Sequence, residues 1–447
     1  MQSRFLSSGV DVRRSSCVVD VNRSLQLLSN ASSSCLYMTL SYFKEEMMIR
    51  ENLFTVDELI ETPWLPWERT APGTNVVRSA RGVEVFGYNA SSALLRNTDF
   101  STGLLELFDH SGVDDATFRD LVENSVNYAE GAAHTRLRAA IGSFFTPARV
   151  AGMRADVRAD IEAALEVIGD SAEVELVGQL IRDVPARVFA RLLGVDPIAH
   201  GDFISRISEE SVRVFEMDPT LGEHVTLAWT ELTNWVDDLI AIHTPGTPDS
   251  NVIDHLLAKQ GAGNVTANDI RSALVTLLAA STDTTQILAA LMFWSFAENP
   301  DQWQRLREQP ELASSAVTES ARYRPGDAWI FRVATIDTHI EDVPVHAGDH
   351  VFALIGAAHR DQSVFTNPDA FDIGRTERMP LNWGVGRHFC MGRMFAVMEL
   401  EELLLATSQR WERIEHQDPA AAAAAPYLSV QQQLPLRVHR AAATVPA

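Results

Sequence analysis

The chain has 447 residues, of which 46% are hydrophobic and 22% charged, so we expect a globular fold with a sizeable core rather than disorder. Its 60 acidic and 37 basic side chains give a net charge of −23, which argues against a general nucleic-acid binder because phosphate recognition needs a positive field. Three cysteines without a CxxC pair exclude a disulfide framework and a zinc ribbon, and they are typical of a reducing, cytoplasmic compartment. Without a run of about 18 apolar residues, we expect no transmembrane helix and no membrane partner.

The first 50 residues differ in character from the rest of the chain. They are rich in Ser and Arg, poor in acids, and lack the apolar stretch of a secretory signal. We predict a disordered or non-native extension over residues 1–50, with true initiation at Met47 or Met48 as one explanation. A targeting segment and an ordered arm stay open as alternatives. Residues 51–447 are predicted to form a single domain.

The remaining chain is predicted to be mainly α with small β-sheets near both ends. A short strand pair is expected at 83–88, and strands return between 331 and 352. Apolar residues at helical spacing predict helices over 151–168, 176–193, 224–242 and 400–411. Residues 270–297 are apolar on nearly every side, which predicts a helix buried in a large core, and Thr266 with Asp269 three residues on is its expected N-terminal cap. The alanine run at 420–425 predicts a surface loop.

The most informative stretch contains a cysteine and runs Trp383-Gly-Val-Gly-Arg-His-Phe-Cys390-Met-Gly392. The glycines on both sides of the cysteine let the backbone bend tightly and let a flat partner approach. A helical pattern follows directly, so Cys390 is expected at a helix N-terminus, where N–H groups and the dipole favour a thiolate. Such a thiolate, without a second soft ligand nearby, suits axial ligation of haem iron, whereas an inert buried cysteine is the alternative.

This stretch resembles the haem-binding loop of the cytochrome P450 superfamily, loosely FxxGxxxCxG, with Trp383 at the usual Phe. The resemblance runs from about Pro72 to Val438 and implies a helical bundle around a buried haem b. It implies Cys390 as the iron ligand, with Gly384 and Gly392 beside the cofactor. Because no flavin, nicotinamide or iron–sulfur fingerprint is found in the sequence, a separate ferredoxin or flavodoxin is expected as electron donor. It is expected to dock on the cysteine side of a monomeric protein, where positive charge comes from Arg138, Arg387 and Arg393.

A Glu–Arg pair precedes the cysteine by about 70 residues. Glu319 and Arg322 stand at i and i+3, which alone is a common surface pair on a helix. By resemblance they match the ExxR pair of the superfamily, and the downstream segment 368–375 brings a third partner, Arg375. The implied role is structural, because the cluster locks the core beneath the haem.

A polar cluster, Ser281-Thr-Asp-Thr-Thr285, interrupts the apolar helix at 270–297. One explanation is a set of hydroxyl groups that bond back to carbonyls four residues earlier. By resemblance, Asp283 and Thr284 form an acid–alcohol pair that delivers protons during oxygen activation. The family pattern has Gly where this chain has Ser281, which adds bulk above the haem.

A His and an Arg four residues apart share one helix face at His134 and Arg138. They resemble the HxxxR helix whose side chains bind a haem propionate, and Arg forks suit such carboxylates. By the same resemblance, Arg332 and His388 would contact the propionates. Glu130 begins the stretch that replaces the usual Asp-Pro-Pro of the family.

The resemblance also implies a substrate pocket of mostly apolar or aromatic residues, namely Phe108, Leu278, Ala279, Ala280, Asp327, Trp329 and Leu428. We expect a small apolar or aromatic molecule with one polar handle, hydroxylated or epoxidised in natural-product biosynthesis. A non-hydroxylating outcome, such as C–C or C–N coupling or cyclisation, is an alternative motivated by Ser281. A haem-based sensor without turnover is a further alternative, against which the acid–alcohol pair argues.

Overall fold

The computed structural model describes residues 62–216, 218–243, 250–417 and 433–440, with short pieces at 55, 58–59, 423–424 and 429–430. The predicted extension over residues 1–50 and the predicted pocket residue Leu428 lie outside the described residues. The extension and the single domain predicted after it therefore stay predictions.

Helices dominate the described residues, as the periodicity predicted. In the first half of the chain they are α1 (Leu65–Arg69), α2 (Tyr88–Arg96), α3 (Leu104–Phe108), α4 (Ala116–Glu123), α5 (Gly131–Gly142), α6 (Pro147–Ile168), α7 (Asp183–Leu193) and α8 (Pro197–Val212). In the second half they are α9 (Gly222–Ile242), α10 (Val252–Gly261), α11 (Ala267–Ser281), α12 (Asp283–Glu298), α13 (Pro300–Glu308), α14 (Ala313–Tyr323), α15 (Ile355–Ala358) and α16 (Arg393–Arg410).

The strands are short and form small sheets at the periphery. They are β1 (Val76–Ser79), β2 (Gly82–Val85), β3 (Phe100–Ser101), β4 (Glu173–Glu175), β5 (Trp329–Ala334), β6 (Thr338–Ile340), β7 (Val343–Val345), β8 (His350–Leu354), β9 (Trp411–His416), β10 (Ala423–Ala424), β11 (Ser429–Val430) and β12 (Pro435–Arg440). A five-stranded sheet has the order β1-β2-β8-β5-β3, and a three-stranded sheet has the order β4-β12-β9. Hairpins β6-β7 and β10-β11 complete the set.

The centre of the molecule is the apolar pair α11 and α12. Thr266 caps α11 in a capping box with Asp269, as the sequence predicted. The single helix predicted over 270–297 is instead two helices that meet at Thr282. The hydroxyl groups of Thr284 and Thr285 bond to the carbonyls of Ala280 and Ser281, and such side-chain insertion into the backbone ladder is a known cause of helix kinks.

Helices α11 and α12 together, Ala267–Glu298, are long and apolar enough to cross a membrane by length and composition alone. However, 72% of the most apolar window is buried inside the protein. This burial is what the core helix of a globular protein shows, so the stretch is weak support for a membrane span.

Three other expectations need adjustment. The helix expected at 400–411 begins earlier and ends at Arg410, because Trp411 is the first residue of β9 and is fully buried there. Within the alanine run predicted as a loop, Ala423 and Ala424 pair with Val430 and Ser429. The strand pair expected at 83–88 is β1 paired with β2, and Tyr88 already begins α2.

Candidate functional site

A cavity of about 420 Å³ lies between the central helices and the cysteine loop. Its wall is mostly apolar and aromatic, and it includes many of the residues that the sequence singled out. Those on the wall are Phe108, Arg138, Ala279, Ala280, Thr284, Asp327, Arg332, Gly384, His388, Cys390 and Gly392. Chain segments far apart in sequence therefore meet around one space.

The cysteine loop is held in a fixed bend before α16. Gly384 and Gly386 have φ of 64° and 74°, a region that residues with a Cβ rarely adopt. The Cys390 N–H donates to the Trp383 carbonyl at 2.8 Å, which closes the loop. Gly392 has an ordinary φ of −77°, and a Cβ there would meet nothing within 4 Å. Open space beside Gly392 leaves room for a flat group close to the sulfur.

The environment of the Cys390 sulfur is more complex than the sequence suggested. Backbone N–H groups of Gly392 and Arg393 point to the sulfur and lower the pKa of the thiol, as expected at a helix N-terminus. Burial raises that pKa by more, so the thiol pKa lies above its usual value. The local N–H groups therefore act in the predicted direction, but burial outweighs them in the protein by itself. A metal ion would supply the missing positive charge, since coordination deprotonates a thiol.

Cationic groups gather on one part of the cavity wall. Arg138 donates to the Phe389 carbonyl at 2.5 Å. Arg332 is a buried residue of β5 and also lies on the cavity wall. His388 lies 3.3 Å from the carboxylate of Glu130, which also pairs with Arg387 at 2.7 Å. Burial raises the pKa of Glu130, but the hydrogen bonds from His388 and Arg387 outweigh it and lower the pKa to about 2. Because Glu130 neutralises Arg387, that arginine is a poor docking charge, contrary to our expectation.

His134 lies behind this group rather than on the cavity wall. Its ring centroid is 4.4 Å from that of His388, and burial lowers the pKa of His134 to about 4, so the ring is neutral at pH 7. The buried Nε2 has no hydrogen-bond partner among the described residues. A neutral imidazole and two guanidinium groups beside an apolar cavity fit the two carboxylates of a haem, and Cys390 fits its iron.

The predicted Glu–Arg pair forms a buried cluster with further partners. Arg322 donates to both oxygens of Glu319, at 2.7 and 2.8 Å, and Arg375 approaches Glu319 at 3.0 Å. The remaining donors of Arg322 bond to carbonyls of three residues along the downstream chain, His359, Pro368 and Ala370. The cluster therefore ties α14 to the segment that leads into the cysteine loop, and Arg322 is only 1% exposed.

His359, which the sequence reasoning missed, strengthens this connection. The Leu381 N–H donates to its Nε2 at 2.7 Å, so Nδ1 carries the proton and donates to the Arg322 carbonyl at 3.0 Å. Burial and the nearby Arg322 lower the pKa of His359, so the ring stays neutral. No spacing rule links these positions along the chain, so sequence alone offered no signal for this contact.

Asp283 and Thr284 occupy different surroundings. The Thr284 hydroxyl faces the cavity and donates to the Ala280 carbonyl at 2.7 Å, which is the bond that the alternative explanation predicted. Asp283 is buried outside the cavity wall, and its Oδ2 has no hydrogen-bond partner among the described residues. Burial, with a smaller contribution from Glu209, raises the pKa of Asp283 to about 7. Glu209 itself pairs with Arg182 at the surface.

The raised pKa of Asp283 gives a testable pH dependence of stability. Because the folded protein binds this proton more tightly than the unfolded chain, the carboxyl lowers the free energy of unfolding progressively from about pH 4 to pH 7. Asp283→Asn removes this titration. The difference in free energy of unfolding, variant minus wild type, should therefore be larger at pH 8 than at pH 5 by roughly 3 kcal/mol. Denaturant unfolding of both proteins at the two pH values measures this, and a difference independent of pH would contradict it.

The predicted substrate pocket is only partly realised on the cavity wall. Phe108, Ala279, Ala280 and Asp327 line it, whereas Leu278 and Trp329 do not. Leu278 is fully buried. Ala280, two residues later on the helix, points to the other side and lines the cavity instead. Trp329 packs instead against Phe352, with ring centroids 5.7 Å apart, and beneath Arg81. Glu399 of α16, which the sequence reasoning did not single out, also reaches the wall.

A helical fold that encloses an apolar cavity, with one cysteine sulfur and a cluster of cationic side chains on its wall, defines the class of haem-thiolate proteins. The sequence model of cytochrome P450 matches residues 223–420. The chain is 30% identical to 6-deoxyerythronolide B hydroxylase of Saccharopolyspora erythraea, over 73% of this chain and 82% of that protein. It is 29% identical to luteothin monooxygenase of Streptomyces thioluteus, over 75% and 83%. The chain belongs to the cytochrome P450 family.

Solved structures agree with this fold. The crystal structure of CalO2 superposes with a TM-score of 0.78, covering 88% of this chain and 99% of that one at 22% identity. Epothilone B-bound P450epoK superposes with a TM-score of 0.77, covering 86% and 99% at 20% identity. These structures show the fold, and the sequence relatives identify the protein as a bacterial P450 monooxygenase with a haem-iron cofactor, a redox partner and a small-molecule substrate.

Proposed function

We propose that this P450 hydroxylates or epoxidises a small, largely apolar or aromatic molecule in natural-product biosynthesis. The observation that carries the proposal is the composition of the cavity, whose wall is mostly apolar away from Cys390 and the cationic cluster. An apolar pocket with few polar groups favours an apolar ligand and fixes its orientation through those few groups. Hydroxylation or epoxidation also agrees with the monooxygenase and hydroxylase names of the relatives.

The relatives support the biosynthetic context. Besides the two described above, the chain is 31% identical to 20-oxo-5-O-mycaminosyltylactone 23-monooxygenase of Streptomyces fradiae, over 62% of this chain and 65% of that protein. These names describe oxidation of small molecules by enzymes of Streptomyces and Saccharopolyspora. They do not fix one substrate, because relatives of similar identity act on different molecules.

We infer that the cofactor is haem b, held by Cys390 through its iron and by Arg138, Arg332, His388 and His134 through its carboxylates. When bound, this group supplies the activation of dioxygen, which the thiolate ligand promotes. The protein contributes an apolar cavity that excludes water and positions the substrate. Gly384 shapes the loop at this site, and Gly392 leaves the space beside the sulfur.

We propose that Asp283 and Thr284 act at two successive points of one proton path. Thr284 has its hydroxyl on the cavity wall, where the oxygen can accept or hold a proton next to the reacting groups. Asp283 is protonated about half of the time near pH 7 and lies toward the Arg182–Glu209 pair at the surface. A group with a pKa near the operating pH is well suited to pick up and release protons. Asp283 would therefore supply protons from the solvent side, and Thr284 would pass them on.

Replacing Asp283 with asparagine tests this path. Because Asn keeps the shape but cannot transfer a proton, we expect turnover to fall by about 10²-fold. Substrate affinity, measured by the Soret shift, should stay within about threefold because Asp283 does not line the cavity. The matched control is Asp202→Asn, an exposed acid on α8, which should leave turnover unchanged. Wild-type turnover in Asp283→Asn would refute the proton role.

The electron donor is proposed to be a separate ferredoxin or flavodoxin, and the enzyme is proposed to act as a cytoplasmic monomer. Turnover should be reconstituted with a surrogate ferredoxin and its reductase under ¹⁸O₂. A product that carries one ¹⁸O atom supports hydroxylation or epoxidation. If the product is oxidised but gains no ¹⁸O, the proposed hydroxylation or epoxidation is wrong. If no ligand that shifts the Soret band is turned over, the cavity is not the substrate pocket of a monooxygenase.

A further inference from the structure

Two acidic side chains on the cavity wall, Asp327 and Glu399, have no hydrogen-bond or ion-pair partner among the described residues, and Asp327 is the one that lies outside the helix following Cys390. Asp327 lies between the end of α14 and the start of β5, in the stretch Pro325-Gly326-Asp327-Ala328. It lines the cavity, and neither a hydrogen bond nor an ion pair to its carboxyl is found among the residues that the structure describes. A carboxyl group in such a place is costly unless something satisfies it.

The protein itself supplies no cation for this carboxyl. Arg138, Arg332 and His388 lie on the same wall, but none of them is within ion-pair distance of Asp327. Burial alone raises the pKa of Asp327 to about 7, with no lowering by a neighbouring positive charge. The carboxyl group therefore faces the cavity without a counter-charge from the described residues, and above about pH 7 it carries a negative charge there.

The surroundings of Asp327 favour a cationic ligand over a neutral one. Ile330 and Phe331 follow it on the wall, and Phe108, Phe189 and Phe215 contribute further aromatic surface. An ammonium group pairs with a carboxylate by charge, and aromatic faces attract cations as well. A neutral hydroxyl group could bond to Asp327 but would leave the charge uncompensated.

We propose that Asp327 binds a protonated amine of the substrate, so that the substrate class is an apolar or aromatic body bearing one basic nitrogen. This inference rests on the proposed function, since it specifies the substrate of the same cavity. Asp327 is then a specificity-determining residue rather than a proton donor. Glu399 is the other acid on the wall. It belongs to α16, which follows Cys390, and its buried Oε2 also has no hydrogen-bond partner among the described residues, so it is the rival site that the test must separate from Asp327.

The test uses matched pairs of ligands in the haem-loaded enzyme at pH 8. Each pair is a phenylalkyl trimethylammonium ion and its neutral carbon isostere, in which a tert-butyl group replaces the trimethylammonium, over a series of chain lengths. The nitrogen of these ammonium ions has no lone pair, so it cannot ligate iron. A Soret shift caused by nitrogen ligation is therefore not mistaken for binding at Asp327. Affinity is measured by the Soret shift and by equilibrium dialysis, neither of which requires turnover.

We expect the wild-type enzyme to bind the best ammonium ion at least about 30-fold more tightly than its isostere, and Asp327→Asn to lose this preference. Asp327→Glu should retain most of it, because the charge is kept. Glu399→Gln is the matched control and should leave the preference unchanged. If Asp327→Asn does not fold, the wild-type and Asp327→Glu measurements still decide the question.

Three results would overturn the inference. They are a wild-type enzyme with no charge preference at any chain length, a preference that persists in Asp327→Asn, and a preference that Glu399→Gln removes. Failure of the proposed function is recognised separately, because the reduced, CO-treated protein would then lack the red-shifted Soret band of a haem-thiolate. A normal band without charge preference refutes only the role of Asp327.

Discussion

Replacing Cys390 with alanine should abolish the red-shifted Soret band of the reduced, CO-treated protein and reduce monooxygenase turnover to background. Within the described residues, Cys390 is the only cysteine, and its sulfur lies on the cavity wall with two backbone N–H groups directed at it. Alanine removes the sulfur but disturbs little else, because the loop is held by glycines and by the bond from residue 390 to the Trp383 carbonyl. The effect should therefore be chemical rather than structural.

The matched control for this variant is Trp383→Phe. It changes a large side chain on the same loop and the same cavity wall, while leaving the sulfur in place. We expect Trp383→Phe to retain the haem-thiolate band, and both variants to retain the helical circular dichroism of wild type. A red-shifted band in Cys390→Ala, or its loss in both variants, would mean that the iron ligand has been wrongly assigned.

Replacing Arg322 with alanine should lower the free energy of unfolding by about 3–5 kcal/mol and reduce the yield of soluble haem-loaded protein. The substitution leaves the buried Glu319 carboxylate without its bidentate partner and leaves three backbone carbonyls without their donor. Both charged side chains are only 1% exposed, so water cannot replace the lost contacts. Denaturant unfolding followed by tryptophan fluorescence, together with haem content, measures the effect.

Arg324→Ala provides a control two residues away. Arg324 pairs with Glu298 at 2.7 Å, but the two side chains are 36% and 37% exposed. An ion pair with that exposure contributes about 0–1 kcal/mol, so the variant should unfold close to wild type. Equal losses in Arg322→Ala and Arg324→Ala would show that the buried cluster has no special structural role.

The two pairs illustrate how far sequence reasoning reaches. Glu319–Arg322 and Arg324–Glu298 both join charged residues of helices, and by spacing alone the former is an ordinary i, i+3 pair. What distinguishes it is burial and the carbonyl acceptors brought from the 359–370 segment, which only the folded chain assembles. The resemblance of the motif to a family pattern, not its local chemistry, marked it for attention.

The central helix shows the opposite limit. The apolar run and the Thr266 cap predicted a buried helix, because periodicity and capping act within a few residues. The break at Thr282 and the separation of Asp283 from Thr284 were not predictable, since adjacent residues in a helix point about 100° apart and only packing decides which one faces the cavity. The same rotation explains why Ala280 lines the cavity and Leu278 does not.

The sequence by itself determined the fold class, the position of the bent cysteine loop and the residue types that could meet a haem, because glycine placement, helical periodicity and motif spacing are local properties of the chain. Only the tertiary structure decided the electrostatics. It paired Glu130 with Arg387 and His388, and it raised the thiol pKa of Cys390 through burial. Among the described residues it left the Nε2 of His134 without a hydrogen-bond partner and the carboxyl of Asp327 without an ion pair. Charges interact through space and with solvent, so their energies depend on distances and burial that residues far apart in sequence establish together.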